Sequence, residues 1–491
     1  MPTLQKNKSH VILIHPSKRV LGLQDNIYTY ESLTPSLGLA MIGASCRKAG
    51  YTVTVVDMRL PHWTLPRLLE KIKMENPSCI GIGAFTTEII QAGFIAKAVK
   101  VSFSHIPIVI GGPHASTIPE QTLEEFRDFD IAVIGEGEET FVRLLNLLHS
   151  QGPEGLGTLP GIAFRESNRI KKNASPREIE NLDELPLPAW DLFELGHYNR
   201  WFAISASRGC PYHCYFCNPN YLGKKTRIKS ASRIVDELEE ALLRFGISSF
   251  QFADAMLTLN RKHIFDLCEV IMARKLHKRV RWECETRADS IHEEMLKKMK
   301  QAGCQWIALG VETGNEEILK KVVHKQETKQ QIRQAMHLAR RCGLKVRTFF
   351  ILGHFGETVE TILETIRFAI ELNPDVPSFG LILPNPGTEI RKLAEHEGSG
   401  LRILSSNWMN YNQLNYDCFE LETIPLAELK KWQSRAYYTF YRHHPLKALT
   451  ILFSTSVYNY KVRAIVMVAF KLLSRFFSKH LPRQKTPETK R

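Results

Sequence analysis

"SRGCPYHCYFCNPN", residues 207–220, packs Cys210, Cys214 and Cys217 into eight residues with the spacing C-x3-C-x2-C. It continues the run "WFAISA" (201–206), which reads as a strand feeding a loop. Three thiols in so short a loop are arranged like metal ligands. A structural zinc ion takes four protein ligands in a closed shell. His213 also lies in the loop, but as the neighbour of Cys214 it makes an awkward fourth ligand from the same turn. A nucleophilic thiol would not need two companions. The feature to be explained is a three-thiol set with its fourth place open.

The chain around this loop has 491 residues, room for two to four domains. Its 44% hydrophobic and 24% charged residues are those of a folded globular protein. The first residues, "MPTLQKNKSHVILIHP", carry neither a long apolar run nor a small-residue cleavage site, so no secretory leader is expected. The other seven cysteines are scattered and sit mostly in apolar runs, as buried small side chains do. Such cysteine use points to a reducing cytoplasm.

Charge is concentrated at one end. Residues 429–491 hold fourteen Lys/Arg and one acid, Glu488, so +13 of the net +14 lies there. The remaining 428 residues are close to neutral. Lys471, Arg475 and Lys479 recur every fourth residue, while Phe470, Leu473, Phe476 and Phe477 fall on another helix face. That pattern suits an anionic membrane surface, and equally a helix packed on the body of the protein. No apolar run reaches the roughly 18 residues of a spanning helix. No nucleic-acid-binding module is recognisable, and nucleic acid is not expected as a partner.

Residues 1–150 alternate short apolar runs, at 10–15, 52–57, 79–84, 107–112 and 130–135, with helical stretches near 36–49, 64–75, 88–103, 118–126 and 138–149. Strands apolar on both faces and separated by helices predict a parallel, five-stranded, doubly wound sheet. Ligands of such sheets lie at the carboxyl ends of the strands. Here those ends read "GAFTT" (83–87), "GGPHAS" (111–116) and "GEGEET" (135–140), making Gly111, Gly112, Gly135 and Gly137 candidate binding positions. Plain turn chemistry explains any single loop, but three on one rim favour a ligand. Residues 151–200, with a small hairpin at "IAFRESNRIKK" and the proline-rich "NLDELPLPAWDLF", read as a linker. From 201 to 390 six β/α units follow, an open version of the (β/α) barrel, with Asp254, Glu283, Glu285, Arg287 and Glu312 at or near strand ends. Residues 391–491 read as a mostly helical C-terminal region. The fold class is therefore α/β: a Rossmann-like domain, a partial (β/α)6 barrel and a helical end.

At this point the sequence resembles a family. "CPYHCYFC" after a barrel strand is similar to the signature of radical S-adenosylmethionine (SAM) enzymes. "FADAMLTLN" (252–260), "WECETRADSI" (282–291), "LGVETGNEEIL" (309–319), "FILGHFGET" (350–358) and "LPNPGTEI" (383–390) resemble its later strand segments. Phe355 stands where that family commonly has proline, a detail of a turn. The resemblance implies a [4Fe–4S] cluster on Cys210, Cys214 and Cys217, SAM on the open iron, and SAM contacts from Phe216, Asp254, Arg287 and Glu312. A structural ion pair in the barrel mouth is the competing account of the last three. The preceding doubly wound domain resembles the cobalamin-binding domain of the cobalamin-dependent branch. The usual D-x-H-x-x-G motif is absent after the first strand, which reads "HPSKRVLG", and His114 is read as a loop hydrogen-bonder rather than a cobalt ligand.

What this implies is a cytoplasmic enzyme, its tail available to the inner face of the membrane, that cleaves SAM reductively and functionalises an unactivated carbon. An electron donor such as flavodoxin or ferredoxin is implied as partner. The expected reaction is C-methylation of a hydrophobic substrate, an isoprenoid lipid or a tetrapyrrole, with SAM serving twice. Oxidative ring formation without methyl transfer is the alternative, followed by RNA modification and a non-catalytic cobalamin sensor.

Overall fold

The computed structural model describes residues 8–22 and 33–448, apart from residues 168, 200, 224, 397 and 413–416. The first domain runs β1 (Lys8–His15), α1 (Leu37–Lys48), β2 (Tyr51–Asp57), α2 (Leu65–Glu75), β3 (Cys79–Gly83), α3 (Ile89–Ser102), β4 (Ile108–Gly111), α4 (Pro113–Thr117), α5 (Pro119–Glu125), β5 (Ile131–Val133) and α6 (Gly137–Gln151). These five strands are parallel in the order β2-β1-β3-β4-β5. Ile12, Ile80 and Ile110 on the three inner strands are wholly enclosed. Their apolar runs are explained by helices covering both faces of a parallel sheet. Ser36 and Thr64 begin α1 and α2 by accepting from Leu39 N and Arg67 N.

The sheet is larger than the sequence suggests. The hairpin β6 (Ile162–Glu166) and β7 (Arg169–Lys172) adds antiparallel to the free edge of β5, giving seven strands. The segment expected to belong to a linker is therefore part of the first domain, because burying Ile162, Ala163 and Phe164 closes that edge.

The second domain comprises β8 (Trp201–Ile204), the short pair β9 (Ser207–Arg208) and β10 (Arg227–Ile228), α7 (Ala231–Phe245), β11 (Ser249–Phe252), α8 (Arg261–Ala273), β12 (Arg281–Thr286), α9 (Glu293–Gln301), β13 (Cys304–Glu312), α10 (Lys329–Arg341), β14 (Lys345–Leu352), α11 (Val359–Leu372) and β15 (Val376–Leu381). Its main sheet has six parallel strands, from β8 at one end to β15 at the other, as the six β/α units predict. Strong local signals frame the helices. Ser230 caps α7, which ends at Gly246 with φ 67°, and Thr328 with Gln331 forms a capping box on α10.

Among the described residues after 390, a pair of short strands interrupts the expected helices. After α12 (Glu389–Ala394), β16 (Leu401–Ile403) and β17 (Phe419–Leu421) pair antiparallel before α13 (Leu426–His443). α13 covers the exposed end of the barrel sheet: Tyr437 Oη accepts from Phe379 N at 3.0 Å and its ring meets the Phe379 ring edge-on. The basic amphipathic stretch around Lys471, Arg475 and Lys479 lies outside the described residues. Among the described residues no helix is long and apolar enough to cross a membrane.

Ile80 offers a test of the assigned core. Ile80→Ala is expected to destabilise the first domain by about 2–5 kcal/mol, read as a lower urea midpoint. An unchanged midpoint would contradict the packing described.

Candidate active site

The carboxyl-end rims of the two domains face each other across one cavity of about 560 Å³. One wall carries Gly111, Gly112, Gly135 and Gly137; the other carries Arg208, Gly209, Cys217, Asp254 and Glu285. The glycines on the first wall serve different physical ends. At Gly111 an added Cβ would meet no protein atom within 4 Å, so its missing side chain leaves room in the cavity. Gly112 has φ +97°, and its Cβ would lie 2.7 Å from Ala84 O, so both conformation and packing demand glycine. Gly135 donates its N–H to Ser116 Oγ, while Gly137 lets α6 approach Ile42 of α1. Gly111 is thus the one whose absent side chain suits a flat ligand.

The cysteine loop leaves β9 and turns tightly, with Cys217 N donating to Cys214 O at 2.9 Å. All three thiols are free, and Cys217 is exposed where it opens onto the cavity. Enclosure by protein, then the neighbouring Cys214 and Cys210, push the Cys217 thiol up to about 12. Burial also raises the Cys214 thiol, against the pull of Lys325 and, more weakly, Arg287. Three free thiols on one tight loop, with Lys325 and Arg287 acting on Cys214, form a donor set suited to an iron–sulfur cluster with one iron open.

Asp254 acts on the approach to this loop. Its buried carboxylate accepts from Ala206 N at 3.0 and 3.1 Å, from Ser207 N and from Ser207 Oγ. It therefore fixes the turn three residues before Cys210, and it also lines the cavity. Arg287 lies 3.9 Å over the ring of Tyr212, between the first two cysteines, and pairs with Asp289 at 2.6 Å.

Glu312 ends β13 with φ +64°, beside a register shift between Gly310 and Glu312. A left-handed, non-glycine residue beside a bulge is strained backbone that re-aims a side chain. Its carboxylate meets Lys325 Nζ at 3.2 Å, and the same ammonium meets Glu327 at 2.9 Å and donates to Gly310 O. Glu327 in turn accepts from Ala288 N and Asp289 N, next to Arg287. Burial raises the Glu312 carboxyl and Lys325 opposes it. Lys325 and Glu327 are not among the candidate residues, because nothing in the sequence around them marks burial.

Phe216 is half-buried, its ring 6.0 Å from Tyr215 and 6.3 Å from His354. Tyr215 Oη bonds His354 Nδ1 at 3.0 Å and accepts from Phe355 N at 3.2 Å. The turn that departs from the family's usual proline is therefore tied directly to the cysteine loop. Glu285 opens into the barrel mouth: enclosure raises its carboxyl, Arg347 opposes that, and Glu312 and Glu283 add to it. His114 does not line the cavity; its Nδ1 bonds Thr86 Oγ1 at 3.2 Å and its ring meets Trp408 edge-on. This is the hydrogen-bonding role expected for it.

The family models agree with this two-rim geometry. A B12 binding domain matches residues 24–145, and a radical SAM superfamily domain matches residues 204–369. An uncharacterised methyltransferase of Pyrococcus horikoshii is 32% identical over 413 residues, covering 83% of this chain and 88% of that one. The chain belongs to the cobalamin-dependent radical SAM family. An anaerobic magnesium-protoporphyrin IX monomethyl ester cyclase of Cereibacter sphaeroides is 29% identical, covering 77% of this chain and 63% of that one. A hopanoid C-3 methylase of Methylococcus capsulatus is 27% identical, covering 77% and 71%. The fold matches the methyltransferase TsrM of Kitasatospora setae with cobalamin and a [4Fe–4S] cluster bound, at 17% identity and TM-score 0.72, over 95% of this chain and 100% of that one. Cobalamin, a [4Fe–4S] cluster and SAM are the cofactors of this family member.

Gly111→Ala is expected to weaken cobalamin binding at least tenfold, about 1.4 kcal/mol, with thermal stability unchanged because the new Cβ meets no protein atom. Equal affinity for added cobalamin would refute the cradle. A second expectation concerns Glu357, whose carboxylate accepts from Gly353 N and His354 N and is pushed up to about 8 by burial. The folded state then binds a proton that the unfolded state has lost, so stability falls as pH rises from the ordinary carboxylate range to about 8. Glu357→Gln should flatten that fall in melting temperature. Parallel pH profiles for the two proteins would show that Glu357 does not titrate as described.

Proposed function

We propose that this protein transfers a methyl group from SAM to an unactivated carbon of a hydrophobic substrate, an isoprenoid lipid or a tetrapyrrole. The observation that carries the reading is the single cavity in which Gly111 of the cobalamin domain and Cys217 of the barrel face the same space. The bound cofactors supply radical formation and methyl carriage, and the protein supplies placement and exclusion of water. Asp254 holds the amides that launch the cysteine loop. Phe216, Arg287 and Glu312 are proposed as SAM contacts, Phe216 against the adenine. Leu13, Ile42, Phe85 and Phe141 give the cavity apolar walls, and Phe85 remains 57% exposed as an apolar surface for a substrate. A cytoplasmic setting, a flavodoxin or ferredoxin as electron donor, and membrane contact through residues 429–491 complete the proposal.

Oxidative ring formation is the second reading, supported by the likeness to the magnesium-protoporphyrin cyclase. SAM products separate the two. Methyl transfer with SAM used twice should release S-adenosylhomocysteine and 5′-deoxyadenosine in equal amounts from cluster- and cobalamin-loaded protein. The assay would supply a chemical reductant and either a total lipid extract or magnesium-protoporphyrin monomethyl ester. 5′-Deoxyadenosine rising alone would support ring formation, and no substrate-dependent product from either mixture would overturn the substrate class.

A further inference from the structure

Among the described residues one group of three side chains brings its ligand atoms together as a metal site requires: those of His62, Glu194 and His197 all lie within 4.8 Å of one another. His62 lies in the turn after β2. Glu194 and His197 belong to the segment that leads from the first domain to β8, in the spacing Glu-x-x-His. His62 Nε2 stands 2.9 Å from Glu194 Oε1, and His197 Nε2 stands 3.8 Å from Glu194 Oε2. The two imidazoles are 5.2 Å apart, centre to centre.

The surroundings orient the central carboxylate. Trp63 Nε1 donates to Glu194 Oε1 at 2.9 Å, and the Trp63 ring is held under the Arg67 guanidinium at 4.9 Å. Arg67 also donates to His62 O at 3.2 Å. All three side chains keep contact with solvent, at 26%, 45% and 55% exposure, so an ion has a path in.

We propose that His62, Glu194 and His197 bind a divalent transition-metal ion, with zinc the best match. Zinc takes imidazole nitrogen and carboxylate oxygen at about 2.0–2.2 Å, placing neighbouring tetrahedral ligand atoms about 3.3 Å apart. The observed separations of 2.9 and 3.8 Å bracket that spacing, so small side-chain rotations close the set. Water completes the shell. The ion fastens the connecting segment to the first domain next to Tyr198, which donates to Asp57 Oδ2 at 2.8 Å, and Asn199, whose N–H bonds Leu33 O. The site shares no residue with the cysteine loop.

The test uses full-length, cluster-loaded protein titrated with zinc against a chromophoric chelator. Wild type is expected to retain one zinc equivalent more than H62A/H197A, and its melting temperature should rise with zinc while that of the variant does not. Zinc X-ray absorption on the wild type provides a reading that needs no variant, with nitrogen and oxygen ligands expected. Equal zinc retention by the two proteins, no zinc retained by wild type, or sulfur ligation of the bound zinc would each overturn the proposal.

Discussion

Arg208 is the point at which the two domains become one site. It lies two residues before Cys210, and its guanidinium bonds Glu136 at 2.6 Å and also Glu138. Those acids flank Gly137 at the start of α6, on the first domain's wall of the cavity. Glu136 is shared: it also accepts from Arg227 at 2.6 Å and from Ile179 N at 2.8 Å. Each charge is desolvated and each has a partner, the condition under which a buried ion pair specifies geometry without stranding a charge. Removing one member of such a set costs about 3–5 kcal/mol, because the others are left buried and uncompensated. The cysteine loop cannot shift relative to the glycine rim without breaking this set.

That constraint explains why chemistry can occupy the junction of two parallel sheets. Each sheet offers its carboxyl-end rim, where loops vary and backbone groups are unpaired. A rim alone is open to water, whereas two facing rims enclose a space. Within it the strain of Glu312 is supported from several sides. Lys325 holds its carboxylate, Glu327 holds Lys325, and the amides of Ala288 and Asp289 hold Glu327. The network ends beside Arg287, which presses on Tyr212 of the cysteine loop. A displacement at the loop is therefore opposed by β12 and β13 as well as by the first domain.

The sequence disclosed what depends on local periodicity and on rare spacings. Both parallel sheets follow from apolar runs alternating with helices, and Cys210, Cys214 and Cys217 follow from their crowding. Partnerships formed across long sequence separations were not legible. Arg208 and Glu136 look like ordinary surface charges in one dimension, and only folding buries them together. Ile162–Phe164 read as a small hairpin, because nothing local says that β5 has a free edge waiting for it. Lys325 is hidden for the same reason, since a lysine between His324 and Gln326 has no local mark of burial. The four candidate glycines looked alike as letters, yet one leaves room in the cavity, one adopts a left-handed turn against Ala84, and one admits a neighbouring helix.

The junction is held from more than one side, and this bears on how it works. Arg208 and Arg227 fasten it at the cysteine loop. Tyr198 fastens the connecting segment to Asp57, itself paired with Arg59 at 2.6 Å. On another side Trp408, from the segment between β16 and β17, donates to Glu125 Oε2 at 2.7 Å and packs on His114. Interfaces between domains of one chain are commonly small and polar, and relative motion is their ordinary behaviour. Three separate attachments remove a single hinge axis, because rotation about any one of them strains the other two. A cavity so framed keeps its width, so groups bound on its opposite rims would meet at a distance set by the fold rather than by a closing motion.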